Sequence, residues 1–567
     1  YNLNEYKFGL PGIYAGALVS VLVILYFLNR KIQSKEKWLT LGLLAVFFIS
    51  FQNQSLNMIW HGFSEPNWWP FRNAFIFSFL LISISWQCFL KRDGLTPRML
   101  QICMLIILGV SIFLAKIGYS YLSSAKIYFE ILNSGLCLLI LYLWRQNEEK
   151  KAQVKSSNVF FPVLLLFLVC ANLLTNAYSI LKLNIGEAIT LDQYFESTYP
   201  SDETTQGIKD NDSSFFRMEK MFHRTANDAL RTNYSGFSHY SSTTRQDELS
   251  FLAKMGVNQI YYYTEYGEGS TTAVDSLLGI KYILSKTDDF LKPYPEIKTK
   301  NGIHFFQNPY ALPLGFIVSK EAFSLAGYTD DLFVLQNQIF SSLKGSSLGD
   351  IYTPAKVDRF VDAGTRNEIW KIYIDRSDAL YTNFFSPKER PVSASVNQVS
   401  LMDRFAANRY GIVPLGRFKP GDIIVMEFDN SISENYAIPP YFYYEDIDLL
   451  KQYSDFLSRN PVNLQKKSSS HLTGSFIAES EDQYAFFSIP FDQGWKISVD
   501  GEPVQAIRMV YDLTGVKVPL GEHRIEMYYI PAGFISGSCI SAASVVLLVV
   551  RSFFRKDVTL NGDSTAI

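Results

Sequence analysis

The distribution of apolar residues along this chain leaves few folds open. Residues 10–182 and 530–550 form long apolar runs, whereas residues 183–529 read as ordinary water-facing protein. A run of about 20 apolar residues crosses a bilayer as a helix, because a helix satisfies its own backbone hydrogen bonds where no water is present. Seven such spans are expected: about Leu10–Leu28, Trp38–Phe51, Ala74–Leu90, Met99–Ala115, Ile127–Trp144, Val159–Ala177 and Ile530–Val550. The second is short and is expected to extend into Gln52–Ser55. The chain reads as a polytopic α-helical membrane protein carrying one large domain between spans six and seven.

Basic residues orient it. Arg30, Lys31, Lys35 and Lys37 follow span one; Lys91, Arg92 and Arg98 follow span three. Arg145, Lys150, Lys151 and Lys155 follow span five, and Arg551, Arg555 and Lys556 follow span seven. The alternate short loops carry only Lys7, Arg72, Lys116 and Lys126. Positive charge accumulates on the cytoplasmic side, so the first set and the C-terminus are expected inside, with Gln52–Asn73 and residues 183–529 outside. Residue 1 is then outside too, yet the chain starts with Tyr1 and has no signal peptide. The expectation is the C-terminal part of a longer protein with further N-terminal spans.

A net charge of -2 over 567 residues gives no basic excess for nucleic acid. The five cysteines, Cys88, Cys103, Cys137, Cys170 and Cys539, all lie in apolar runs and are read as small hydrophobes. No Walker loop, dinucleotide fingerprint, paired-His metal motif or Gly-x-Ser-x-Gly elbow occurs, so no cofactor is identified and no ligand cluster asks for a metal.

The stretch Gln52–Asn73 concentrates Trp60, His61, Glu65, Trp68, Trp69 and Arg72 between two spans. Two readings are open. An aromatic belt with a snorkelling Arg uses these residues, and so does a site gripping a lipid-linked, phosphate-bearing substrate. Glu130, Asn133, Ser134 and Asn176 lie inside spans and are read as mostly structural, with Glu130 reaching water near the outer end of span five.

In the outer region, residues 183–310 mix helix and strand signals and read as α/β. Thr243 or Thr244 is expected to cap a helix over Gln246–Met255 closed by Gly256, followed by a strand over Val257–Tyr263. A second helix, Thr271–Leu278, is closed by Gly279 and leads to the strand Ile280–Leu284. The polar cluster Arg217, His223, Arg224, Asn227, Asp228, Arg231, Asn233 and Tyr234 fits either a solvated helix face or a sugar- or phosphate-binding one. Residues 311–529 are strand-rich, with helical spacing at Ile447, Leu450, Tyr453, Phe456 and Leu457. Leu415–Val425 echoes Val518–Ile525, and upstream Val396-Asn397-Gln398 matches the hairpin Val499-Asp500-Gly501. Two related β-sandwich modules of jelly-roll-like kind are expected. The division is thus 1–182, six membrane helices; 183–310, α/β; 311–529, β-sandwich; and 530–567, last span and tail.

Several of these stretches resemble the YfhO family of bacterial membrane proteins. They are Asn57-Met58-Ile59-Trp60-His61-Gly62-Phe63, Pro66-Asn67-Trp68, Pro70-Phe71-Arg72, Leu277–Tyr282, Asn308–Pro313, and Gly494-Trp495-Lys496 with Val499-Asp500-Gly501. The resemblance covers essentially the whole chain as the family's C-terminal portion. It implies a GT-C-like membrane glycosyltransferase that moves sugar from a polyprenyl-phosphate carrier onto lipoteichoic acid or a related wall polymer outside Gram-positive cells. In such enzymes the acidic catalytic residue lies in the first outer loop, before this chain begins. The acid/base is therefore unassigned, with Glu65 a secondary carboxylate, and the chain alone is expected to be inactive. Arg72 is assigned to the phosphate and His61 to assist it or to bond the acceptor. Trp60, Trp68 and Trp69 would pack on lipid or sugar, and Arg217 would bind substrate. A non-enzymatic scaffold or transporter for lipid-linked envelope precursors is the alternative.

Overall fold

The computed structural model describes residues 12–64, 71–117, 124–151, 159–184, 189–257, 259–260, 263–266, 270–288, 290–323, 329–384, 390–405, 411–429 and 441–560. The chain divides into two compact units, Tyr1–Ile189 and Thr190–Ile567.

The first unit is helical: α1 Ala17–Leu28, α2 Ser34–Gln52, α3 Gln54–Trp60, α4 Ala74–Leu90, α5 Pro97–Ile117, α6 Ser124–Lys151 and α7 Phe160–Asn184. α1 packs against α4, α5, α6 and α7. Its Val21, Leu22, Leu25 and Tyr26 join Ile84, Cys88, Cys103, Cys137 and Leu141 in one buried cluster. Polar atoms help to join these helices, as where Ser85 Oγ donates to the Val19 carbonyl at 3.1 Å. The turn from α1 depends on close approach. Asn29 Nδ2 donates to the Lys91 carbonyl, and a Cβ on Gly94 would fall 2.3 Å from Asn29 Oδ1. α5 begins at Pro97 with Thr96 Oγ1 accepting from Met99 N, which supplies one of the acceptors a helix start needs.

Among the described residues four helices are long and apolar enough to cross a membrane: Pro97–Ile117, Ser124–Glu148, Phe160–Lys182 and Phe534–Phe553. The count is five if α2 and α3 are one broken span. The remaining two expected spans are shorter, at 12 residues for α1 and 17 for α4. The reason for α1 is local. Residues 12–16 are not helical, and Gly16 stands at φ 94°, so within the described part of the expected span Leu10–Leu28 the helix starts at Ala17. Three cysteines are buried, whereas Cys170 and Cys539 are exposed on apolar helices; all five are free.

The second unit begins with α8, Leu191–Asn211, whose N-terminus is a capping box between Thr190 and Gln193. Ile208 packs with Met218, Tyr282, Leu284, Ile303 and Phe305 of a mixed sheet. In that sheet Arg217–Lys220 runs parallel to Ile280–Ser285, followed antiparallel by Ile303–Gln307 and Glu296–Lys300. The helix Gln246–Lys254 forms, but its N-cap is Arg245. Thr244 instead donates to the Ser241 carbonyl. Gly256 and Gly279 close their helices at positive φ, 82° and 65°. Of the expected strand Val257–Tyr263 the described residues give Gln259–Ile260, which pairs antiparallel with Tyr263–Thr264.

Two sandwiches follow, and the strand orders of their five-stranded sheets correspond. In the first, a five-stranded sheet runs Lys356–Val361, Glu368–Tyr373, Ile423–Phe428, Ser393–Val396, Val399–Ser400. It packs on a four-stranded sheet, Gly411–Arg417, Ala379–Phe384, Phe442–Glu445, Tyr352–Pro354, through Trp370, Ile372, Phe384, Val413 and Phe428. In the second, the five strands are Gln465–Ser468, His471–Ala478, Gly521–Tyr529, Trp495–Val499 and Glu502–Val504. They pack on Ala506–Met509, Leu513–Lys517, Gln483–Pro490 and Gly315–Ser319 through Phe476, Phe487, Ile497, Val516 and Met527. The equivalent hairpins turn through left-handed pairs, Asn397-Gln398 at φ 49° and 68° and Asp500-Gly501 at φ 50° and 86°. Such turns match the twist of the strands they join. The sequence echo thus has a structural counterpart in the order and the turn of the two five-stranded sheets.

Candidate functional site

Between α2 and α3 the chain bends by 109° at Asn53. Gln52, Asn53, Gln54 and Ser55 interrupt the apolar pattern there, and Asn53 Oδ1 accepts from Leu56 N at 3.0 Å, capping the short helix. An aromatic cluster holds both ends of the following loop. Trp60 stacks on Phe47 at 5.1 Å, Phe47 and Phe51 meet Phe77 at 5.9 and 5.6 Å, and Phe71 meets Phe51 edge-on at 5.8 Å. Ala74 is buried in the same cluster. The cluster therefore fixes Trp60 and its neighbour His61 on one side, and Phe71 with Arg72, Asn73 and Ala74 on the other. Gly62, Phe63 and Phe71 all adopt left-handed backbone, φ 67°, 64° and 65°. For a bulky residue such as Phe this conformation is uncommon and costs energy, and it tends to mark a functional segment.

Polar atoms left without partners converge on this element. His61 Nδ1 lies 2.8 Å from the Asn57 carbonyl, which can only accept, so Nδ1 carries the proton. In the neutral ring Nε2 then presents a lone pair, and among the described residues it is buried with no partner. Asn57 Oδ1 and both amide atoms of Asn73 are likewise buried and unpartnered among the described residues; each residue is 6% exposed. Buried polar groups normally find partners, and an orphan costs about 1–3 kcal/mol. Four such atoms beside one bend are polar groups to which the described residues offer no partner.

Arg72 is exposed and engaged in at least one interaction of its own. Trp60 is 41% exposed, with one face on Phe47. Glu65, Trp68 and Trp69 lie outside the described residues. Asn57 and Asn73, which sequence reasoning did not single out, are distinguished only by being amides next to apolar helix starts.

Arg217 belongs to the other unit. Its guanidinium donates to the Leu278 carbonyl at 2.6 Å, Ser488 Oγ at 3.0 Å and the Ser488 carbonyl at 2.6 Å, and burial pulls it down to about 10. It is a clamp between the mixed sheet and the second sandwich. Within the polar cluster Asp228 and Arg231 are internally paired, whereas both ring nitrogens of His223 and the Tyr234 hydroxyl are buried without a partner among the described residues. Lys220 and Asp228 form a buried ion pair at 2.6 Å, and Arg231 grips Asp202 through two bonds of 2.6 Å. Burial works against the Asp228 carboxylate, but Lys220 and the amides of Arg224 and Thr225 outweigh it and hold it at about 2. The expected helix face is a single turn, Asp228–Thr232.

The model of the family described as "Bacterial membrane protein YfhO" matches residues 1–541. The chain belongs to the YfhO family. A relative, "Uncharacterized protein YfhO" of Bacillus subtilis (strain 168), is 24% identical over 513 residues, covering 77% of this chain and 58% of that protein. The chain thus spans a little over half the length of that relative. This YfhO-family chain is a membrane protein with several apolar helices and a β-rich domain. Among the described residues no group of three or more His, Cys, Asp or Glu could hold a metal ion.

Proposed function

We propose that this YfhO-family chain is the C-terminal part of a membrane glycosyltransferase with seven spans and jelly-roll-like outer sandwiches. It moves a sugar from a polyprenyl-phosphate carrier onto lipoteichoic acid or a related wall polymer, at the outer face of the bacterial plasma membrane. In this reading the broken span α2–α3 sits at the outer surface with residues 183–529 outside, as the basic flanks require. The observation that carries the proposal is the orphaned polar set, Asn57 Oδ1, His61 Nε2 and the Asn73 amide, held beside Arg72 by an aromatic cluster.

The chemistry needs three things. The carrier phosphate must be held as the C1–O bond breaks and charge develops on it, which suits Arg72. The acceptor hydroxyl must be oriented and relieved of its proton as its oxygen bonds to C1. His61 Nε2, with Nδ1–H fixed on Asn57, is arranged to accept a hydrogen bond from that hydroxyl. The lipid and sugar need apolar faces, for which Trp60, with Trp68 and Trp69, is suited. The carboxylate that takes the proton is not assigned, and Glu65 remains a secondary candidate.

The test is Arg72→Ala and His61→Ala in the protein at its natural length, matched for membrane abundance, with sugar transfer from the lipid-linked donor as readout. Losses of 10²-fold or more are expected, within the usual range for such groups. Unchanged transfer in both would defeat the reading. Carrier binding without transfer by the unmodified protein would favour a transporter or scaffold for lipid-linked precursors.

A further inference from the structure

A second polar site lies within the helical unit, away from the α2–α3 bend. Tyr14, in the non-helical stretch before α1, places its hydroxyl 3.1 Å from Glu130 Oε1 of α6 and 2.7 Å from Asn172 Oδ1 of α7. Asn172 Oδ1 also accepts from Ala17 N, the first amide of α1, at 3.2 Å. That bond fixes the orientation of the side chain, since only its oxygen can accept. Asn172 Nδ2 must then point away from α1, and it is buried with no partner among the described residues, in a side chain 3% exposed.

The depth of these groups sharpens their meaning. α1 ends against the basic flank Arg30-Lys31 and has 12 residues. At 1.5 Å per residue it rises about 18 Å, leaving its start about 12 Å below the far boundary of a hydrocarbon core about 30 Å thick. Glu130 is six residues into α6, counted from Ser124, about 9 Å from that helix's start. The two estimates agree with the Tyr14–Glu130 contact. Non-helical backbone and a carboxylate at such depth are tolerated only where protein or a water-filled cavity surrounds them. The start of a helix that begins inside the membrane is a recurrent lining for polar ligands. Glu130 and Tyr14 are partly open, so the site is reachable.

We propose that Tyr14, Glu130 and Asn172 form a binding site for a sugar or polyol hydroxyl in the outer half of the membrane unit. The hydroxyl donates to the Glu130 carboxylate, and its oxygen accepts from Asn172 Nδ2. Tyr14, bridging both residues, sets their spacing. A hydroxyl satisfies both groups at once, being donor and acceptor together, which a phosphate anion facing the Glu130 carboxylate does not. The site rests on the glycosyltransferase reading only for its choice of probes.

The experiment uses the protein at its natural length in lipid nanodiscs. Carbodiimide with glycine ethyl ester modifies accessible carboxylates, and mass spectrometry reads modification at Glu130. Two hydroxylated probes separate the sources of the ligand: a polyprenyl-phosphate-linked hexose for the donor and a poly(glycerol phosphate) oligomer for the acceptor. Bare polyprenyl phosphate and inorganic phosphate are the controls. Glu130 is expected to react without ligand, and one hydroxylated probe should slow it at least fivefold while both controls leave it unchanged. Asn172→Ala should abolish that protection while Glu130 remains reactive. Absence of modification, no protection by either hydroxylated probe, or equal protection by a control would overturn the proposal. If Glu130 is protected but no sugar is transferred, the site stands and the transferase reading falls. If transfer proceeds and Glu130 is not protected, the reverse holds.

Discussion

Replacing Asp275 by Ala should destabilise the second unit more than any other single truncation of a polar side chain in it. Asp275 lies on the fully buried helix Thr272–Leu277. Its carboxylate accepts from Lys292 Nζ at 2.6 Å, Tyr294 Oη at 2.7 Å, Tyr266 Oη at 2.8 Å and Ser270 Oγ. Truncation leaves the Lys292 ammonium buried with only Tyr266 Oη, 3.2 Å away, in reach. Breaking a buried pair in this way costs about 3–5 kcal/mol, and two tyrosine hydroxyls lose their acceptor as well. Burial lowers the Lys292 pKa, so the amine can shed its proton and cap the penalty; about 4 kcal/mol is the working figure. Lys292→Met should cost less, because three hydroxyl donors still serve the carboxylate. Hydrogen exchange on the intact protein reads this directly at the amides of Ile280–Ser285, the buried strand that follows the helix. At 1.4 kcal/mol per tenfold, exchange there should accelerate about a thousandfold for Asp275→Ala. An acceleration below threefold, or an equal effect from Lys292→Met, would refute the reasoning.

Asp512 gives a pH signature of opposite sign to the usual carboxylate. Burial raises its carboxyl to about 6, against the pull of Arg245 and Arg508, 3.7 and 3.3 Å away. The folded state therefore holds this proton more tightly than the unfolded chain, and stability falls as pH rises from about 4 to 6. The loss is about 3 kcal/mol at most. Asp512→Asn should remove that slope in denaturation series at pH 4 to 7 and raise stability at pH 7; an unchanged slope would contradict the assignment. Gly256→Ala should cost about 3 kcal/mol or more, since φ is 82° and the new Cβ would meet Ile412 side-chain carbons at 2.4 Å. Gly302→Ala, at φ 72° in open space, should cost only the backbone share of about 1–2 kcal/mol, and equal losses would refute the steric argument.

Local patterns carried much of this structure, and non-local contacts hid the rest. The hairpins at Asn397-Gln398 and Asp500-Gly501 were legible because turn chemistry is local, and their spacing exposed the repeat. Helix stops at Gly256 and Gly279 were legible for the same reason. The bend at Asn53 was not legible: the second span was expected to extend into Gln52–Ser55, whereas the chain turns there by 109°, a turn that depends on Phe47, Phe51, Phe71 and Phe77 meeting in space. The short α1 was foreshadowed by Pro11, Gly12 and Gly16, yet apolar length alone favoured a full span. The clamp made by Arg217 was not legible because its partner Ser488 is 271 residues away. The contacts of Glu130 were not legible because neither Tyr14 nor Asn172 is near it in sequence.

The central claim concerns polymer chemistry, and mass spectrometry of lipoteichoic acid from cells lacking the protein tests it most directly. The account predicts loss of one sugar substituent, restored by the protein at its natural length but not when Arg72 is replaced by Ala. An unaltered polymer, with a lipid-linked precursor accumulating in the membrane, would contradict it and point to transport.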